Sequence, residues 1–434
     1  MESIHILAMH HVLPENKSAS TIILENIVHE LRKKTQVRVT WLIYRPERIK
    51  NIDQKDLSYN ILDIHDFNNG LEIIQKVKPD LIFSDAYMYF IQYALSLAGK
   101  SLKIPIISDY SVGITLLENP IKVFKSFIFL FFQNSVPIDN EEKQFMKRGR
   151  FFIYKILFLI KTQRILKVNM LRIIRGLLDI IKNMIFDAGM GINSRFANNL
   201  HWLQNESQYK KFIKAGFDKS SLIITGSPLY DMEFKKIANL NKNNQNIGKI
   251  RVLLLTSALY EHGIWNKEQR QKAISGIVNA INEKRDRFLL TIKIHPSSES
   301  LVDYQEMINP IDSSIPIHQT GDVINYLEQA DVVVAFPSNS MILTNTILSK
   351  IPLILCNFFN EETNEYTKRE LVLVCKKPEG IDKVIESIIK SNPATEDRIK
   401  KFIKDFLYKG DGCAGERISN QIIHLLEEKK KNKK

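Results

Sequence analysis

Short, unbroken apolar runs bounded by turn residues recur along this chain, and they constrain its fold more than any other feature. IHILAMH (4–10), VRVTWLI (37–43), DLIFS (80–84) and IPIIS (104–108) come first, then DAGMGIN (187–193) and SLIITG (221–226). Strands with one wet face alternate apolar and polar residues, whereas continuous apolar runs suit a parallel sheet covered on both faces. Helix-length segments such as 20–33 separate the runs, as a βαβ chain requires. The composition then shifts: KKIANLNKNNQNIGK (235–249) is rich in Asn and Lys and reads as an interdomain linker. A second set follows, KIRVLLLTS, RFLLTIKIH, PIHQ, DVVVAF, IPLILCN and ELVLVC. The expected fold class is therefore α/β. It has two Rossmann-like domains, 1–234 and 250–434, joined by 235–249 and facing a cleft. A chain of 434 residues accommodates this, and no internal repeat is visible.

The net charge of +13 is a local property. Residues 121–185 hold thirteen Lys/Arg against four Asp/Glu, and the tail EEKKKNKK (427–434) adds five Lys against two Glu. The remainder of the chain is close to neutral, which argues against a nucleic-acid-coated surface. The aromatic residues of 121–185 come in apolar clusters, unlike the single stacking platforms of single-strand binders. On one helical wheel over 161–185, Lys161, Arg164, Lys167, Arg172, Arg175 and Lys182 fall within about 140°. Leu166, Met170, Ile173, Leu177, Ile181 and Met184 fall opposite. This predicts a basic amphipathic insert in the N-terminal domain that lies on an anionic membrane surface; a solvated basic face packed on its own domain is the plainer alternative. No run approaches the ~18 apolar residues of a spanning helix. The N-terminus lacks the basic and apolar regions of a secretory leader. Three cysteines without a CxxC spacing fit a reducing compartment. The expected location is cytoplasmic, peripheral on the inner face of the membrane.

Four loops after second-domain strands carry phosphate-binding chemistry. Ser338, Asn339 and Ser340 form a turn between a buried strand and a helix, where free N–H groups and small side chains accommodate a phosphate; Ser and Asn also cap helices in any βα loop. Thr256 and Ser257 open a similar loop. Lys293 and His295 stand at the end of another strand, closed by Pro296. Gln319 and Thr320 precede a short helix and suit a base or ribose. The first domain's strand exits carry side chains able to act as a general base. His10 or His11 follows the first strand, Asp85 follows 80–84 and Asp109 follows 104–108; His11 and Asp85 rank first.

TGSPLYD (225–231), KIHP (293–296), ADVVVAFPSNS (330–340), KIPLIL (350–355) and DGCAGERI (411–418) together resemble the C-terminal domain of GT-B glycosyltransferases. The order is similar to the branch that holds bacterial surface-polysaccharide transferases, CDP-glycerol glycerophosphotransferases and UDP-N-acetylglucosamine 2-epimerases. The resemblance implies a nucleotide-activated donor of UDP or CMP type on the second domain. It also implies a glycan or lipid-linked acceptor on the first, and a terminal helix that returns toward the first domain. Departures narrow it. The epimerases carry a glutamate pair where this chain has Met341-Ile342-Leu343. The glycerophosphotransferases place an aspartate where it has Thr344-Asn345. No DxD triplet occurs, so neither a metal nor another cofactor is expected. A metal-independent glycosyltransferase fits best, ahead of an alditol phosphate transferase or an epimerase.

Overall fold

A computed structural model describes residues 3–10, 19–43, 59–84, 90–110, 141–186, 198–238, 240, 248–296, 298–337, 341–359 and 365–431. The chain divides into two compact units, Met1–Asp231 with Asp405–Lys434, and Met232–Lys404. The helix Asp231–Ala238 occupies the first part of the stretch 235–249, so ordered helix stands where the composition suggested linker.

The first unit is built on seven parallel strands: β1 (Ser3–His10), β2 (Gln36–Ile43), β3 (Asn60–Asp63), β4 (Leu81–Phe83), β5 (Ile106–Tyr110), β6 (Leu200–Leu203) and β7 (Leu222–Ile224). Their order is β3-β2-β1-β4-β5-β6-β7, which reverses direction between β1 and β4. β3 and β6 were not legible as apolar runs, because each has four residues and a polar flank. The run 187–193 lies outside the described residues. Leu7, Leu42 and Ile82 of the sheet join Ile74, Leu95 and Phe158 of the covering helices in one core.

The basic region departs from the single helix expected there. It forms two helices, Glu141–Ile165 and Met170–Phe186, with Lys167 between them at φ 56°. The Lys167 and Val168 amides close the first helix on Arg164 and Gln163, and the Asn169 side chain accepts from the Leu171 N–H. That Asx cap starts a new helix axis, so one wheel cannot run through 161–185. Residues 121–140 lie outside the described residues. The pair is anchored in the unit. The Tyr154 hydroxyl donates to the Ile64 and Phe67 carbonyls, Thr162 accepts from the Gly70 N–H, and Phe158, Leu159, Ile173 and Ile180 are buried.

Two of the quoted motifs turn out to be one joint. Asp231, buried, accepts from the Ala414 N–H at 3.0 Å and the Gly415 N–H at 2.7 Å, and so caps the terminal helix Ala414–Lys431 from a distance of 183 residues in sequence. Both amides are orphan donors of a helix N-terminus, where negative charge is favoured. Arg417 donates to the Thr225 carbonyl and pairs with Asp411. Gly226 sits at φ 79°, and a Cβ on Gly415 would stand 3.2 Å from the Asn26 carbonyl. Small residues at these positions let the terminal helix lie against the helix Ala19–Arg32.

The second unit has six parallel strands: β8 (Ile250–Leu255), β9 (Phe288–Lys293), β10 (Ile317–His318), β11 (Val332–Ala335), β12 (Leu353–Cys356) and β13 (Leu373–Cys375). Their order, β10-β9-β8-β11-β12-β13, is the doubly wound dinucleotide-fold order, with its reversal between β8 and β11. Both units therefore match the expected Rossmann-like class.

Candidate functional site at the carboxyl edge of the second sheet

In a doubly wound sheet the crevice outside the strand carboxyl ends lies at the order reversal, where neighbouring loops part to opposite faces. Here that is the exit of β8, flanked by β11 on one side and β9 on the other. His295 follows β9, and one strand separates β9 from β11, a lateral distance of roughly 10 Å between those two strands. Ser338, Asn339 and Ser340 themselves lie outside the described residues; β11 ends at Ala335 and the next helix begins at Met341.

Glu299 organises the β8 and β9 exits. It is buried, and its side chain accepts three hydrogen bonds, the role of a carboxylate. The Thr256 hydroxyl donates to it from the β8 loop. The His295 N–H donates at 2.6 Å from the β9 exit, and the Tyr304 hydroxyl at 2.6 Å from the helix Leu301–Asp312. Its own carbonyl accepts from the Gln319 side chain at 2.7 Å. One residue, through its side chain and its carbonyl, thus ties three strand exits together. Beside it, the buried Arg270 guanidinium bonds Glu261 at 3.0 Å and Asp303 at 3.1 Å and lies over the Tyr260 ring. This pins the loop after β8 to the helix after β9.

Three of the expected donor-site residues are part of this scaffold. Thr256 gives its hydroxyl to Glu299. Lys293 is buried, donates to the Ile294 and Gln319 carbonyls at 3.0 and 2.8 Å, and has its pKa lowered by burial, with Glu299 acting against the shift. Gln319 turns its amide inward. Ser257 is half-buried and Thr320 exposed, and the Thr320 carbonyl accepts from the Tyr326 hydroxyl.

His295 is in a different position. Its Nδ1 accepts from the Ser298 N–H at 3.2 Å, which assigns the ring proton of the neutral form to Nε2. Burial lowers its pKa; the His262 and Lys293 charges add to this and Glu299 opposes it. A half-buried imidazole kept neutral, with its N–H held in orientation, is a preorganised donor to an oxygen on which charge develops.

In the first unit the order reversal puts the exits of β1 and β4 side by side, with β5 next. His11 and Asp85, which follow β1 and β4, lie outside the described residues. Asp109 lies within β5, opposite Trp202 of β6, rather than after the strand, because the run pairs as far as Tyr110. The floor beneath these exits is a buried polar set. The Ser84 carbonyl accepts from the Ser108 hydroxyl at 2.9 Å and from the Asn198 amide at 3.0 Å. Among the described residues no cluster of three or more His, Cys, Asp or Glu could hold a metal ion.

Sequence reasoning missed Glu299, Tyr304 and Arg270. The signal for Glu299 was present in HPSSES: a lone carboxylate inside a Ser-rich strand exit, immediately before a helix capped by Ser300.

No protein-family profile matches the chain, and no curated protein is significantly similar to it in sequence. Solved structures are similar to it in fold over nearly its whole length. The UDP-GlcNAc 2-epimerase of Neisseria meningitidis bound to UDP-GlcNAc is 14% identical with a TM-score of 0.53, covering 97% of this chain and 100% of that one. The glycotransferase of kitacinnamycin is 11% identical at TM-score 0.52, covering 97% and 98%. The wall teichoic acid polymerase TagF, as its H444N variant, is 12% identical at 0.51, covering 99% and 90%. These neighbours are GT-B fold enzymes, and the chain shares their fold.

Proposed function

We propose that the protein is a glycosyltransferase that moves a sugar from a nucleotide-activated donor to a glycan or lipid-linked acceptor without a fixed metal. The observation that carries this reading is the neutral, oriented His295 imidazole at the exit of β9, next to the β8 exit at the order reversal of the second sheet. A leaving nucleoside diphosphate gains charge on its bridging oxygen, and the Nε2–H is suited to meet it. The acceptor side is assigned to the β1, β4 and β5 exits of the first unit, where His11, Asp85 and Asp109 supply candidate bases. The neighbours' binding of UDP-GlcNAc or UDP supports a nucleotide-sugar donor.

The epimerase reading has a specific observation against it. The helix Met341–Leu348 opens on Met341-Ile342-Leu343 and contains no carboxylate, where epimerases of this resemblance carry a glutamate pair. Thr344 and Asn345 are buried, and Thr344 shares a 2.8 Å hydrogen bond with Tyr366. The test is incubation with UDP-, CMP- and CDP-linked donors and lipid-linked acceptors, with every product identified. Nucleotide release coupled to a glycosylated acceptor supports the proposal. Glycerol phosphate transfer from CDP-glycerol, or a new hexosamine epimer without transfer, replaces it.

A further inference from the structure

The helix pair of the first unit presents an outer face unlike the rest of the described surface. Seven of the fourteen exposed large apolar side chains fall in residues 153–178. On the second helix Ile173 and Ile180 turn into the core, and Gly176 approaches the Gln163 amide and the Tyr93 ring. The opposite side carries Leu171, Ile174 and Leu178, which at 100° per residue span about 60° of arc. Leu171 is 76% exposed and Leu178 61%. Arg175 and Arg172 border that stripe. The end of the first helix adds Ile165 with Lys161 and Arg164, all exposed, and Lys167 caps the bend. From Lys161 to Leu178 there are five Lys or Arg and no Asp or Glu.

This corrects the wheel drawn from sequence. Ile173, placed there on the membrane side, is core, and the exposed stripe of Leu171, Ile174 and Leu178 lies among the cations rather than across the helix from them.

We propose that this face docks on an anionic lipid surface, with Leu171, Ile174 and Leu178 inserted at the headgroup–acyl boundary and the five cations on lipid phosphates. Charge complementarity selects the occupant. A second copy of the same face would set five cations against five, which like-charge repulsion opposes. A nucleic acid would leave the apolar stripe uncovered. Exposed apolar side chains beside Lys and Arg meet both halves of a headgroup interface. No described helix is long and apolar enough to cross a membrane, so the contact is peripheral. The proposal stands independently of the reaction assigned above.

The test is sedimentation of the full chain with vesicles of phosphatidylcholine alone, or with 30% phosphatidylglycerol (about that fraction suffices for a negative surface). Binding should be at least tenfold tighter to the anionic vesicles at low salt and should weaken severalfold at high ionic strength. Leu171→Glu with Leu178→Glu, and separately Arg172→Glu with Arg175→Glu, should each reduce it more than tenfold. Val302→Glu, an exposed apolar residue of the second unit, should leave it unchanged. Circular dichroism and thermal melts serve as fold controls, since all four positions are exposed. Equal binding to both vesicle types overturns the proposal. So does a dimer in sedimentation velocity that Leu171→Glu dissolves, or retention on an acidic protein or nucleic acid in preference to lipid.

Discussion

Glu299 offers the sharpest test of how the candidate site is built. Replacing it with Ala removes the acceptor for three donors in a region that excludes solvent: the Thr256 hydroxyl, the His295 N–H and the Tyr304 hydroxyl. Hydrogen bonds to a charged group contribute about 1.5–3 kcal/mol each, and a buried donor left unpaired costs about 1–3 kcal/mol. The two hydroxyls can rotate, and a water can enter the vacated space, so the loss should be about 3–5 kcal/mol rather than the full sum. For a unit of about 170 residues, 2–4 °C per kcal/mol converts this to roughly 6–20 °C in Tm. Glu299→Gln separates chemistry from volume. Its amide oxygen can keep Thr256 and His295, and its NH2 can face Tyr304, whose hydroxyl turns from donor to acceptor. The cost should then be about 1 kcal/mol, or a few degrees. The assay is thermal melting with hydrogen exchange, read at the amides of β8, β9 and their exits. Loss of protection should begin at those exits in the Ala variant and spare the first unit. Equal destabilisation by Ala and Gln, or an Ala variant melting within 2 °C of the parent, would refute the reasoning.

Three further outcomes follow from the same geometry. His295→Ala should lower turnover about a hundredfold with the fold intact, the ~3 kcal/mol that one preorganised donor contributes; because its pKa is lowered, the neutral ring persists below pH 6.5, so activity should hold from pH 8 to 6.5 and decline only on further acidification, as steady-state kinetics across pH will report. Asp231→Ala should cost the first unit about 2 kcal/mol and expose the amides that begin the terminal helix to exchange, whereas Asp231→Asn, keeping one acceptor, should cost about half; unchanged exchange there would remove the cap from the account. His201, fully buried in β6, has its pKa pushed down to about 3 by burial and then by the Lys100 charge. The unfolded chain takes up a proton near 6.5 while the folded one does not, so stability present above pH 6.5 should be lost by up to about 1.4 kcal/mol per pH unit on acidification toward 3. Urea midpoints of the parent and a His201→Gln variant will show whether that slope belongs to this residue.

Much of the architecture was visible as pattern. Unbroken apolar runs such as those of β1, β2, β8, β9 and β11 announce strands buried on both faces, because only a doubly covered sheet removes both sides of a strand from water. The candidate loops were visible for the same reason: once a run is a parallel strand, the polar residues after it must stand at the carboxyl edge. What could not be read was how those loops close. Glu299 joins Thr256, 43 residues earlier, to Tyr304 and to the exit of β9, and nothing in a local window distinguishes it from a solvated glutamate. The motifs around Asp231 and Asp411 likewise stood as two separate resemblances until a carboxylate was found capping a helix 183 residues later. On the basic helices, periodicity sorted polar from apolar positions, but Asn169 restarted the axis and core packing chose which apolar side turned inward. Helical spacing is a local property and is written in sequence. Which face finds a partner depends on the surfaces that the folded sheet and its other helices bring near, and that choice left Leu171 and Leu178 outside while burying Ile173 and Ile180.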